Sequence, residues 1–257
     1  PTYAPVVYGN NVNNITSLGL SSAVYAYYLG ASTPGLNVYK NKAYNITANG
    51  TTGISYGFYV LSAYPYNIYN NYIGDIKAPN SSPASAPYLA AAGMYLTAGS
   101  TVNAFYNTVY LNATSAGTNF SSAAVYGSTS VSTLNLQNNN FVNLSTPKGA
   151  GFTIAYQRSG TAWTNYSAAS NSNNFYAGTP GTNNLICYDG TNSYQTLSAY
   201  KSAIAPIDGS SVSENPNFLS TTGSDANYLH INPAIATQLE SNGQIISSPA
   251  IVDDYDG

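Results

Sequence analysis

Apolar residues in this chain fall in short alternating bursts, not in helical stripes. The first three bursts are Val7-Tyr8-Gly9-Asn10-Asn11-Val12, Val38-Tyr39-Lys40-Asn41-Lys42-Ala43 and Ile68-Tyr69-Asn70-Asn71-Tyr72-Ile73. The pattern returns as Ala104-Phe105-Tyr106-Asn107-Thr108-Val109, as Leu136-Gln137-Asn138-Asn139-Asn140-Phe141 and, more weakly, as Ser170-Asn171-Ser172-Asn173-Asn174-Phe175. Its template is apolar, aromatic, any, Asn, any, apolar. Alternation over so few residues predicts half-buried strands. The aligned residues Asn10, Asn41, Asn71, Asn107, Asn139 and Asn173 are separated by 31, 30, 36, 32 and 34 positions. A second apolar stretch precedes each burst, as in Ile54-Ser55-Tyr56-Gly57-Phe58-Tyr59 and Ala123-Ala124-Val125-Tyr126. Each repeat therefore holds two or three short strands joined by turns rich in Gly, Ser, Thr and Asn.

A period of about thirty residues built from short strands is the mark of a solenoid. Successive coils stack at about 4.8 Å, so equivalent positions form columns along the axis. Asn suits such a column because its amide both donates and accepts, and because it tolerates the left-handed backbone of a tight turn. Two inward columns follow from the alternation: Val7, Val38, Ile68, Ala104 and Leu136; then Val12, Ala43, Ile73, Val109 and Phe141. A second polar column comprises Asn14, Asn45, Asp75 and Asn143, with the fourth coil shifted to Asn112. Asp75 is the only acid before Asp189, and this register makes it a ladder member in preference to a catalytic carboxylate. The expected fold is all-β, a right-handed single-stranded parallel β-helix of about six to eight coils. Six coils would form a body roughly 29 Å long. Residues 1–190 are assigned to the coils, and 191–257 to the C-terminal coil or coils and cap of the same domain.

The C-terminal region breaks the pattern. Residues 194–201 predict one or two helical turns capped at or near Thr196. Asn215-Pro216-Asn217-Phe218 predicts a turn, Tyr228-Leu229-His230-Ile231 a strand, and the chain ends in Asp254-Tyr255-Asp256-Gly257. With these features the coils resemble the pectate-lyase-like, right-handed parallel β-helix repeats of large secreted surface proteins of Bacteroidetes and Ignavibacteria. Those repeats end in a similar helix, turn, strand with Pro233-Ala234, and acidic terminus. The resemblance covers essentially the whole chain. It implies an extracellular or cell-surface location and no assigned activity, because fold does not fix function.

Composition narrows the partners. Hydrophobic residues make up 44% and charged residues only 6%, against about 25% charged in ordinary soluble domains. The 26 Tyr and many Val and Ile exclude disorder. A net charge of −3 opposes self-association only weakly. Six Lys and Arg leave no basic patch for nucleic acid. No apolar run reaches the length of a membrane-spanning helix. The sequence begins at Pro1 without Met or a signal-type run, as expected of a mature product or an excised fragment. Cys187 is the sole cysteine, and its setting in Leu185-Ile186-Cys187-Tyr188 predicts a buried small hydrophobe.

Polysaccharide lyases and hydrolases of this fold need clustered carboxylates. The first five coils offer only Asp75, and their cations are Lys40, Lys42, Lys77, Lys148 and Arg158. The acids Asp189, Asp208, Glu214, Asp225 and Glu240 fall in C-terminal turns and are expected to be solvated. No catalytic residue and no cofactor is assigned. Asp254 and Asp256 have the spacing that opens a calcium loop, but the remaining ligands are missing; a solvated turn is the first reading and a calcium site the second. His230 has no second His or Cys beside it and is not read as a metal ligand. Tyr8, Tyr39, Tyr69 and Phe105 stand two before the ladder Asn and should point outward, where they could meet sugar rings or another protein. The leading expectation is an extracellular structural protein, self-associating end to end or side by side into a filament or layer. A carbohydrate-binding adhesin module is the alternative, and a polysaccharide lyase or hydrolase the second alternative.

Overall fold

Three parallel sheets share one core, because the first five coils repeat the same three short strands. The computed structural model describes residues 5–30 and 35–257, so Pro1 lies outside the described residues. The first sheet stacks Val6–Tyr8, Leu36–Tyr39, Tyr66–Tyr69, Val102–Phe105 and Leu134–Gln137 in that order. The second runs Asn11–Ser17, Lys42–Ala48, Tyr72–Gly74, Thr108–Leu111, Asn140–Asn143 and Asn174–Tyr176. The third runs Ala23–Leu29, Ile54–Val60, Leu89–Leu96, Ser121–Gly127, Thr153–Arg158 and Asn184–Tyr188, closed by an antiparallel Ser193–Tyr194. The chain is an all-β parallel solenoid of about six turns.

Register follows the predicted columns. Val38 aligns with Val7 and Ile68, and Ala104 with Ile68 and Leu136. Val38, Ile68, Ala104 and Leu136 are fully buried, as are Ala43, Ile73, Val109 and Phe141. Val7 and Val12, in the first coil, are only half-buried. Full burial of each Val, Ile, Leu or Phe among them contributes about 1.5–3 kcal/mol.

The corner between the first and second sheets holds the Asn ladder. Asn107 is representative. Its Nδ2 donates to the Ile68 carbonyl at 2.8 Å and to Asn139 Oδ1 at 3.0 Å. Its backbone N–H donates to the same Oδ1 at 3.0 Å. Its own Oδ1 accepts from the backbone N–H and the side-chain amide of Asn71, at 3.2 and 2.8 Å. Asn71 and Asn139 repeat the arrangement. One expectation needs correction: the left-handed backbone does not sit at the ladder Asn. It sits one residue earlier, at Gly9, Lys40, Asn70, Tyr106, Asn138 and Ser172, with φ of 53–67°. The chain swings its side chain outward there, so that the next residue can turn an amide inward. Each non-glycine there costs about 1–2 kcal/mol, offset by the bonds of the buried amide that follows.

The C-terminal region closes the far end. The helix Leu197–Ile204 is capped by Thr196, whose side chain accepts from the Ala199 N–H, and it runs three residues past the predicted end. It buries Tyr200 and Ile204 against the core. Residues 208–212 then add a partial rung. Asn173 Nδ2 donates to Asp208 Oδ1 at 3.0 Å and its N–H to Ser211 Oγ at 3.0 Å. The ladder therefore ends on a carboxylate. Asp208 also accepts the Tyr166 and Tyr200 hydroxyls, both at 2.7 Å, and the Ser211 hydroxyl at 2.6 Å. Asp208 and Asp189 were expected to be solvated; both are fully buried. Burial pushes the Asp189 carboxyl up, but hydrogen bonds from Asn192, Thr191 and Tyr194 outweigh it and hold the group below its ordinary value. The strand expected over 228–231 does not form; only isolated bridges, Phe218 to Ile231 and Ser220 to Tyr228, stand there.

Replacing Asn107 by Ala would leave the Ile68 carbonyl, the Asn71 donors and Asn139 Oδ1 short of partners in a buried corner. At about 1–3 kcal/mol per stranded group, N107A should cost about 3 kcal/mol or more. The exposed Asn10, at the start of the ladder, should cost under about 1 kcal/mol on the same change. Urea unfolding checks this, and equal losses would contradict it.

Candidate functional site

The predicted aromatic column lies on the outer face of the first sheet. Tyr8, Tyr39, Tyr69 and Phe105 are in register. Tyr8 and Tyr39 have ring centroids 5.0 Å apart; Tyr39 and Tyr69 stack at 4.8 Å with 5° between planes. Beside them runs a third Asn ladder that the sequence reading did not single out. Asn67 donates to Asn37 at 2.9 Å, Asn103 to Asn67 at 2.8 Å and Asn135 to Asn103 at 3.3 Å. Its signal was present as Asn-apolar-aromatic in Asn37-Val38-Tyr39, Asn67-Ile68-Tyr69 and Asn103-Ala104-Phe105. The aromatic column is open only at one end: Tyr8 is 59% exposed and Phe105 2%. Burial, then the neighbouring Tyr39 and Asp253, push the Tyr69 hydroxyl up to about 12. The stacked Tyr39 and Tyr69 rings occupy each other's faces and turn edges and hydroxyls outward, and Tyr8 ends the column.

A larger tyrosine array occupies the third sheet. Tyr28, Tyr59, Tyr95 and Tyr126 are in register, and Tyr25 and Tyr56 stand beside them, paired with each other and then with Ala92. The small side chain at Ala92 leaves room for Tyr56 to lean onto Tyr95, at 4.3 Å and 14°. Tyr95 stacks in turn on Tyr126 at 4.2 Å and 12°. Tyr28 is 59% exposed, and Tyr59, Tyr95 and Tyr126 are half-buried. The strands of this sheet carry one charged side chain, Arg158, and it is fully buried. It donates to the Tyr156 hydroxyl at 2.8 Å, and to the Ala162 carbonyl and Asn165 Oδ1 at 2.6 Å each, with its guanidinium 4.4 Å from the Trp163 ring. The outer face of the sheet is thus free of charge. The motif apolar-Tyr-apolar at positions 28, 59, 95 and 126 could have located this array.

The second polar column forms in part. Asn45 Nδ2 donates to Asn14 Oδ1 at 2.6 Å, and Lys77 Nζ joins Asn45 Oδ1 at 2.8 Å to Asp75 Oδ2 at 3.1 Å. Asn14, Asn45 and Asp75 all have left-handed backbone, so Asp75 occupies a turn position beside a lysine. Asn143 stands elsewhere. It aligns with Leu111, faces inward and bonds Ser122 and the Ile154 carbonyl. Cys187 is buried, and burial pushes its thiol well above the ordinary range.

The acidic terminus returns to the coils. Asp253 meets Lys40 at 2.7 Å, Tyr255 stacks on Tyr72 at 4.1 Å, and Asp256 faces His230 at 2.7 Å. Asp254 Oδ1 accepts the N–H groups of Asp256 and Gly257, so this carboxylate closes a turn. Among the described residues no group of three or more His, Cys, Asp or Glu gathers in a metal-holding arrangement. No helix among them is long and apolar enough to cross a membrane. In comparisons with known proteins, no family model matched the chain, and neither did any curated protein or solved structure.

The tyrosine packing has a consequence at high pH. Burial first, then neighbouring tyrosines, raise the hydroxyls of Tyr56, Tyr95 and Tyr69 above the ordinary value of 10.0. Above pH 10 the unfolded chain therefore loses protons that the folded chain retains, and unfolding is favoured. Stability should be full below about pH 10 and fall as pH rises through about 12 and beyond. Urea midpoints measured across this range should decline steadily; a constant midpoint up to pH 12 would refute the assignment.

Proposed function

We propose that the chain is a structural unit of an extracellular or cell-surface assembly, with copies associating side by side through the tyrosine face of the third sheet. The observation that carries this reading is the uncharged outer face built on Tyr28, Tyr59, Tyr95 and Tyr126, with Tyr25 and Tyr56 alongside. A second copy is the occupant that this chemistry fits. Phenol hydroxyls both donate and accept, so a row of them is complementary to itself. The coil spacing of about 4.8 Å also lets two such rows match in register about a two-fold axis, as an isologous contact requires. A net charge of −3 opposes the contact only weakly. End-to-end stacking has less support, since the helix Leu197–Ile204 lies over the C-terminal end of the core. The likeness of the repeats to those of secreted bacterial surface proteins supports the extracellular placement. The reading assigns no catalytic residue, because Asp75 pairs with Lys77 and Asp208 terminates a ladder.

Sedimentation velocity of the whole chain over a concentration series tests this. A dimer that grows in proportion with concentration is expected, and Tyr59→Lys with Tyr126→Lys should return a monomer of unchanged circular dichroism. A wild-type chain that stays monomeric at high concentration would overturn the proposal.

A further inference from the structure

Where the C-terminal segment recrosses the corner between the first and second sheets, it roofs a cleft of about 660 Å³. Ligand-binding clefts run from about 300 to 1,000 Å³. The floor is the outward column Tyr72, Thr108 and Asn140, with Ser172 at the corner; Ile251 and Tyr255 belong to the roof. The roof is pinned at two points. Asn70 Nδ2 donates to the Asp253 carbonyl at 2.8 Å. Asn138 exchanges two bonds with Gln244, both at 2.8 Å. The cavity between these points is therefore preformed.

Two polar side chains in the lining are buried and unpartnered: Asn140 Nδ2 and Ser172 Oγ, on residues each 6% exposed. The orientation of the Asn140 amide is fixed by a chain of bonds. The Glu214 N–H donates to Asn174 Oδ1 at 2.9 Å, so Asn174 Nδ2 is the donor to Asn140 Oδ1, at 2.8 Å. The Asn140 –NH₂ is thereby left without an acceptor, at a position lining the cleft. A buried polar group without a partner is costly and rare in folded proteins. Two such groups on residues that line one preformed cleft leave its wall short of polar partners.

We infer that this cleft binds a neutral saccharide. The ligand must offer acceptors to Asn140 and a hydroxyl-type partner to Ser172. It cannot be strongly anionic, because Asp253 and Asp254 line the cleft and the neighbouring cation, Lys40, is already paired with Asp253. Ile251 and the ring edges of the stacked Tyr72–Tyr255 pair provide apolar wall for C–H surface. A ring with hydroxyls on its rim and C–H groups on its faces meets all of these conditions. The site is separate from the tyrosine face of the third sheet and does not rest on self-association.

The test is binding of the whole chain to an array of neutral hexose and N-acetylhexosamine oligosaccharides, followed by titration of the best ligand. Asn140→Ala removes the free amide while Asn174 Nδ2 keeps its bond to the Glu214 carbonyl. Ser172→Gly removes the hydroxyl at a left-handed position that glycine accepts readily. Each should weaken binding at least tenfold with little change in melting temperature, whereas the Tyr59→Lys, Tyr126→Lys chain should bind as wild type. Failure of every neutral saccharide to bind would overturn the inference. So would binding that survives both cleft variants, loss of binding in the tyrosine-face variant, or a preference for uronates or extended peptides.

Discussion

Stacking one coil on the next at a fixed spacing imposes one demand above the others: the corner where each coil changes sheet must satisfy its peptide groups identically every time. The ladder of Asn41, Asn71, Asn107, Asn139 and Asn173 meets that demand, each amide bonding the rungs before and after it. It fixes the corner while the rest of the coil varies, which is why ladder separations run from 30 to 36 residues without loss of register. The extra residues enter the connections between sheets, where loop length costs little. The ladder also needs an end. Asp208 and Ser211 provide it, and the carboxylate is held by two tyrosine hydroxyls that belong to the aromatic closure of the core.

The outer faces inherit the periodicity that the corner sets. Once coils are in register, any side chain repeated at one position becomes a stacked column. On the first sheet these are Asn and Tyr columns side by side, and on the third a field of tyrosines. Neutral hydrogen-bonding groups then replace charge as the means of meeting water, which accounts for a chain with 6% charged residues and abundant Tyr and Asn. Stacking consumes ring faces and leaves hydroxyls outward, so the third sheet is suited to a partner that hydrogen-bonds along a row. The cleft under the returning tail is different in kind: roofed by pinned loops, and lined by residues that carry donors without partners.

What could be read from the sequence was whatever repeats locally. The inward columns, the main ladder, the thiol at Cys187 and the cap at Thr196 each follow from spacing or from immediate neighbours, and each is found where expected. The left-handed residue was misplaced by one position because Asn occurs at both positions in coils three and five, as Asn70-Asn71 and Asn138-Asn139. The Asn143 assignment failed because spacing does not report backbone conformation. Asn143 keeps the four-residue offset from its ladder Asn, but Asn14, Asn45 and Asp75 turn left-handed there, whereas Leu111 and Asn143 continue the strand and face inward. Burial of Asp208 was not legible, since its partners Tyr166 and Asn173 lie 42 and 35 residues away. The cleft was least legible of all. It exists because Asp253 reaches Lys40 across 213 residues, and no local pattern encodes that return.

The account stands on the ladder amides being locked in place from coil to coil. Exchange of Asn side-chain amide protons with solvent deuterium, followed residue by residue by nuclear magnetic resonance, measures that locking directly. The amides of Asn71, Asn107 and Asn139 should exchange only when the whole solenoid opens, far more slowly than those of the exposed pair Asn14 and Asn80. Exchange of the ladder amides as fast as that of the exposed ones would contradict the ladder as the constraint on which the rest of the fold depends.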